Sequence, residues 1–233
     1  MLFIIAPLLL MIVLIIIEER DCDTTFSSAE YRKTIKRNNR KAREDMNLKK
    51  LFCPSGKKAY DSYTIEDVIK CHPDIVKLYD NAVNSMRIIT MLDKDQKPHC
   101  MYIVQKIGLN GSIIDNNCMF SPVDIETGCI KYPAHSGDTT LAIIYEEHPN
   151  THVKIQGYKI PFVKEAVAMC FEAALKVPQV RYVGWDVAVT EKGPIIIEGN
   201  TYCAHDFWQL PPHTPDKVGM LPAIKKVVPE FKY

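Results

Sequence analysis

Residues 184–200, GWDVAVTEKGPIIIEGN, constrain this chain more than any other stretch. Apolar alternation on either side of Thr190-Glu191-Lys192-Gly193 reads as a β-hairpin, with VGWDVAV and PIIIEGN as its strands. Polar residues interrupt both strands: Asp186 in the first, Glu198 and Asn200 in the second. Side chains two positions apart share a strand face, so Glu198 and Asn200 project together and the hairpin brings Asp186 alongside them. Asp is depleted in strands, and a carboxylate set within the apolar run from Tyr182 to Val189 needs a partner. Two carboxylates and an amide oxygen on one face form a donor set for a hard divalent cation. Mg²⁺ suits it, because Mg²⁺ takes oxygen ligands and fills the rest of its shell with substrate phosphates. A polar hairpin face that simply meets water is the alternative.

The remainder of the chain bounds where such a site can sit. With 233 residues, 47% of them hydrophobic, it can bury a core as one large domain or two small lobes. A formal charge of +1 supplies no global field for nucleic acid, so no nucleic-acid partner is expected. The basic run from Arg32 to Lys50 reads as a solvated arm. Eight cysteines form no CxxC pair, and several fall in apolar stretches. That usage fits reduced, buried thiols in the cytoplasm rather than a disulfide framework or a zinc site.

Leu2 to Ile17 is an unbroken apolar run containing Pro7. As a helix it would reach ~24 Å, against ~30 Å for a hydrocarbon core. It has neither a basic leader nor a small-residue cleavage site, which argues against a cleaved signal peptide. The basic residues between Arg20 and Arg43 follow it and would hold the rest of the chain on the cytoplasmic side. A membrane anchor at the inner face and a buried element both remain open for residues 2–17.

The pattern divides the chain into the apolar segment 1–17, a basic linker and helix over 18–60, and a folded domain over 61–233. Tyr63 to Leu78 reads as a helix with Thr64 as its N-cap and Pro73 interrupting it. Strands are expected over Ser85 to Leu92, Cys100 to Ile107 and Ser112 to Asp115, and a tight turn over Asp124 to Gly128. Phe162 to Lys176 is predicted helical with Pro161 as its opening residue. Val163, Ala166, Val167, Cys170 and Ala174 form its apolar stripe. Pro178 ends it, and a short helix is expected near Leu221 to Val228 in a Pro-rich tail. Trp185 and Trp208 read as core residues.

The hairpin and the string that continues it, VRYVGWDVAVTEKGPIIIEGNTY…HDFWQLPPH, resemble the magnesium-binding end of the ATP-grasp fold. The similarity is to the sugar-transfer-associated branch, related to α-L-glutamate ligases. It extends back through HPDIVKLYDNAVNSMRIIT, IGLNGSIIDN, VDIETG and EHPNTHVKIQGYKIP, covering residues 63–215. The resemblance implies an α+β fold with a mostly antiparallel sheet flanked by helices. It also implies ATP and Mg²⁺ as cofactors, one or two ions held by Asp186, Glu198 and Asn200. Arg87, in Asn84-Ser85-Met86-Arg87, matches the family's Asn-Thr-x-Arg pattern and would contact a phosphate or a substrate carboxylate. Lys106 stands where the family has Arg, keeping the charge without the bidentate fork. Asp115 and Asn116 match an Asp-Asn pair near the active site, and Glu66 matches the hinge-strand Glu near adenine and ribose, which the resemblance implies in place of a helix over residues 64–69. His205, followed by Asp206, would contact substrate.

The chain also departs from the pattern. Asn117 to Pro122 lacks the family's Gly-Gly, and Cys203-Ala204 replaces Pro-Gly. Phe52 to Lys58 carries Cys53 where a phosphate-directed lysine is expected, so the N-terminal lobe reads as incomplete. The implied activity is ligation of a small-molecule carboxylate to an amine or similar nucleophile through an acylphosphate, in cell-surface polysaccharide or peptide modification. A catalytically impaired relative that binds nucleotide or a partner is the alternative.

Overall fold

In a computed structural model the described residues are 69–110, 118–201, 203 and 207–231. Expectations for residues 1–68, Ser112 to Asp115, Asn116, His205 and Asp206 therefore lie outside them. Cys53 and Glu66 are among the positions so excluded.

In chain order the elements are α1 (Pro73–Leu78), β1 (Met86–Leu92), β2 (Pro98–Gly108), β3 (Cys118–Pro122), β4 (Ala134–Ser136), β5 (Ile144–Tyr145), α2 (Val163–Lys176), β6 (Tyr182–Thr190), β7 (Gly193–Asn200) and α3 (Leu221–Val227). A one-turn 3₁₀ helix covers Pro211–His213. The strands form a seven-stranded sheet in the order β5-β4-β3-β2-β1-β6-β7, every neighbour antiparallel. This is the α+β arrangement that the sequence implies.

Local chemistry accounts for most boundaries. Asp93 makes the turn between β1 and β2 by accepting from the Asp95 and Lys97 amides, both at 2.9 Å. Pro73 starts α1 rather than interrupting a longer helix, because a proline at the first helical position lacks only an N–H that has no intrahelical partner. His72 caps it, its Nδ1 accepting from the Asp74 amide at 3.1 Å. Cys71, just before the cap, bridges Thr190 at the end of β6. The helix predicted from Tyr63 is thus a six-residue helix wherever the chain is described. Pro161 likewise falls outside α2, which Phe162 opens from a left-handed backbone at φ 57°.

The apolar stripe of α2 is buried at each of its five predicted positions and lies against one face of the sheet. Met86, Ile88, Ile103, Ile107, Met119, Trp185 and Val187 make up the sheet's side of this main core. Burying each such side chain stabilises the fold by roughly 1.5–3 kcal/mol. The opposite face carries a smaller cluster of Ile89, Val104, Phe120, Cys203 and Trp208, flanked by Tyr102 and Phe207. Both tryptophans are therefore in the core, one on each side of the sheet.

Cys118 to Pro122, in the stretch that lacks the family's Gly-Gly, forms the fully buried strand β3. Its pairing with β2 supplies what so short a run does not advertise. The described cysteines, at 71, 100, 118, 129, 170 and 203, form no disulfide with one another. Burial pushes the Cys100 thiol up to about 12 and raises Cys170 well above the ordinary thiol value, which favours the protonated form of both.

Candidate functional site

The site lies on the sheet face away from α2, on the central strands. Register sets it. Asp186 on β6 is opposite Arg87 on β1 and also opposite Glu198 on β7, while Gly184 is opposite Asn200. Residues directly opposed in an antiparallel pair share a face. Arg87, Asp186, Glu198 and Asn200 therefore converge, and Lys106 joins them from β2, two residues beyond Val104, the β2 partner of Arg87.

That convergence depends on a bulge. From the turn, Thr190 pairs with Gly193 and Val187 with Ile196, a register that would set Asp186 against Ile197. The ladder shifts between Asp186 and Val187, so Ile197 is the extra residue and Asp186 meets Glu198. In an unbroken ladder Glu198 would face the opposite side of the sheet, with Trp185. The simple hairpin reading brought the carboxylates together without this step, and two-residue turns imply the opposite outcome.

Arg87 grips Asp186 with both prongs of its guanidinium: Nε donates to Oδ1 at 2.5 Å and Nη2 donates to Oδ2 at 2.8 Å. Lys106 Nζ stands 3.6 Å from Asp186 Oδ2. The three side chains are nearly buried, at 12% exposure for Arg87 and Lys106 and 8% for Asp186. Burial by itself would raise the Asp186 pKa. The Arg87 hydrogen bonds, the Lys106 charge and the Arg87 charge outweigh burial and hold the carboxyl below the ordinary carboxylate range. Burial opposes the positive charge of Arg87, and its bonds and charge interaction with Asp186 more than restore it. Glu198, on the outer strand, is exposed, and its Oε1 accepts from Asn200 Nδ2 at 3.0 Å.

Two supporting residues make this geometry possible. A Cβ on Gly184 would lie 2.8 Å from the Cys203 Cβ and 3.1 Å from Arg87 Cδ, so glycine leaves the lane in which the arginine lies. Asn84, with φ 50°, is buried. Its Nδ2 donates to the carbonyls of Tyr79 and Ala82, and its Oδ1 accepts from the Gly108 amide at 2.9 Å. Asn84 thereby ties the segment after α1 to the end of β2 and launches β1 in the register that places Arg87. The sequence signal for Asn84 was its position in the Asn-Ser-Met-Arg string; Gly184 carried none beyond being a glycine.

Asp186, Glu198 and Asn200 are thus brought together as hard oxygen donors, with Arg87 and Lys106 beside them. Among the described residues no group of three or more His, Cys, Asp or Glu that could hold a metal ion assembles, at this site or elsewhere. The donor set of two carboxylates and an amide fits a divalent cation whose remaining shell comes from phosphate oxygens.

The family model for sugar-transfer associated ATP-grasp proteins matches residues 13–227. The chain belongs to this ATP-grasp family. No curated protein and no solved structure matches it. ATP-grasp membership accounts for the antiparallel sheet with few helices, and it implies small-molecule substrates. Among the described residues no helix is long and apolar enough to cross a membrane.

Proposed function

We propose that this ATP-grasp chain is an ATP- and Mg²⁺-dependent ligase that joins a carboxylate to an amine or a similar nucleophile, in modification of cell-surface polysaccharide or peptide. The observation that carries the reading is the row Lys106–Arg87–Asp186–Glu198–Asn200 across four neighbouring strands. Mg-ATP held there would supply a γ-phosphoryl group to the substrate carboxylate, giving an acylphosphate and ADP; the nucleophile would then displace phosphate at the acyl carbon and release its proton to solvent. Glu198 and Asn200 present oxygens outward from the sheet, and Asp186 adds a third from beneath. Arg87 and Lys106 supply fixed positive charge where phosphate oxygens gather, which is the main need of phosphoryl transfer. Trp208 and Phe207 belong to the apolar cluster on this face, and Phe207 packs on Phe120, the strand partner of Lys106.

Calorimetry with ATP and Mg²⁺ tests the reading. Wild type should bind, and Glu198→Gln should bind about tenfold or more weakly, since even outer partners of a metal site are worth about 10–100-fold. Equal affinity of the two proteins would remove Glu198 from the site, and absence of binding to wild type would remove nucleotide altogether. A nucleotide-binding role without turnover is the second reading. Cys203 favours it, because this buried thiol stands against Gly184 where the family pattern has Pro-Gly. ADP release in the presence of candidate acids and amines separates a ligase from a binder.

A further inference from the structure

Of the two carboxylates in the row, the buried one is already occupied. Both oxygens of Asp186 are held by the Arg87 fork, and Lys106 stands near one of them. A divalent cation approaching Asp186 meets a guanidinium and an ammonium in its place, and like charges at such distances repel strongly where water is sparse. Glu198 is exposed and accepts from the Asn200 side-chain amide, with the Arg87 charge acting on it without a hydrogen-bonded fork. The groups that cover Asp186 are also those suited to polyphosphate, because a planar fork matches pairs of phosphate oxygens.

The geometry points to a gate made by the Arg87–Asp186 pair. While the pair is closed it keeps cations off Asp186 and phosphate off Arg87. A polyphosphate and a divalent cation arriving together release both partners, because the phosphate takes the guanidinium as the cation takes the carboxylate. The exchange replaces one ion pair by two and leaves no buried charge unmatched, whereas either ligand alone strands one. It needs no strand movement: Arg87 is held through its backbone between Asp186 and Val104, and its side chain alone swings along the lane beside Gly184. This inference rests on the proposed nucleotide site and concerns the order in which that site fills.

Two single-ligand titrations test it: Mn²⁺ without nucleotide, followed by electron paramagnetic resonance, and inorganic tripolyphosphate with EDTA, followed by calorimetry. Coupling of this kind spans roughly 5–150-fold, so Arg87→Gln should bind Mn²⁺ about tenfold more tightly than wild type. Asp186→Asn should bind tripolyphosphate more tightly than wild type by a factor in the same range. Equal Mn²⁺ affinity of Arg87→Gln and wild type, or equal tripolyphosphate affinity of Asp186→Asn and wild type, overturns the gate. Arg87→Lys keeps the charge and loses the fork; it should show a smaller gain for Mn²⁺ and serves where the glutamine variant does not fold. These titrations decide the gate whether or not wild type binds Mg-ATP, and the Mg-ATP calorimetry separately decides the reading beneath it.

Discussion

At the residue scale the site is held by groups that do no chemistry. Gly184 is one: its missing side chain is the space in which Arg87 reaches Asp186. Gly184→Ala should push on the Cys203 Cβ, which cannot rotate away, and destabilise the fold by about 1–3 kcal/mol, the usual range for overpacking. Urea unfolding measures it, and a loss under about 0.5 kcal/mol, the level of an ordinary surface change, would show that the lane has slack. Asn84 is another. Replacing it by alanine leaves the Tyr79 and Ala82 carbonyls and the Gly108 amide short of a partner in a buried place. That should lower stability by about 1–3 kcal/mol in thermal or urea unfolding. Asp186 was legible in the sequence because a carboxylate inside an apolar strand is conspicuous, and Arg87 because its string resembles the family's Asn-Thr-x-Arg pattern. Their pairing was not, because it joins positions 99 residues apart.

At the element scale, β6 shows how one strand serves both sides of the sheet. Asp186 faces the site, while its neighbour Trp185 faces α2 and donates from Nε1 to Thr90 Oγ1 at 2.9 Å. Thr90→Val keeps the shape and removes the acceptor, leaving a buried indole N–H unmatched; the cost should be about 1–3 kcal/mol. Tryptophan fluorescence during unfolding reads this directly, and Mn²⁺ or nucleotide affinity should not move, since Thr90 lies on the far face. The α2 stripe was readable because a 3.6-residue period over 14 residues is a strong signal. The short strands β3, β4 and β5 were not, since they have no such repeat and exist by pairing.

At the scale of the whole molecule, a buried histidine links segments distant in the chain and makes stability depend on pH. His148 Nε2 donates to the Gly108 carbonyl at 2.9 Å, while its Nδ1 accepts from the Asn150 and Thr151 amides. Its ring stacks on Tyr79 at 5.0 Å. This arrangement requires the neutral imidazole. Burial lowers its pKa, the bond to Gly108 opposes the drop, and the nearby His152 adds to it. A histidine lowered in the folded state binds its proton more readily when unfolded, so its contribution is whole above the unfolded pKa of about 6.5 and is lost as pH falls toward the folded value. Buried His213, also lowered by burial, acts in the same direction. Unfolding free energy should therefore decline from pH 7 to pH 5, and His148→Gln should flatten that decline. An unchanged slope in the variant would remove His148 from the account.

The sequence by itself determined the hairpin, the identity of its oxygen donors, the apolar stripe of α2, the core placement of both tryptophans and the ATP-grasp resemblance. These are local periodicities and strings of residue types, which neighbours in the chain suffice to express. Only the tertiary structure decided which side of the sheet Glu198 would face, because one unpaired residue in β7 reverses the face of everything beyond it and strand alternation alone does not announce a bulge. It also decided that Asp186 is gripped by Arg87, since two strands far apart in the chain must first be laid side by side in one register before their charges can meet.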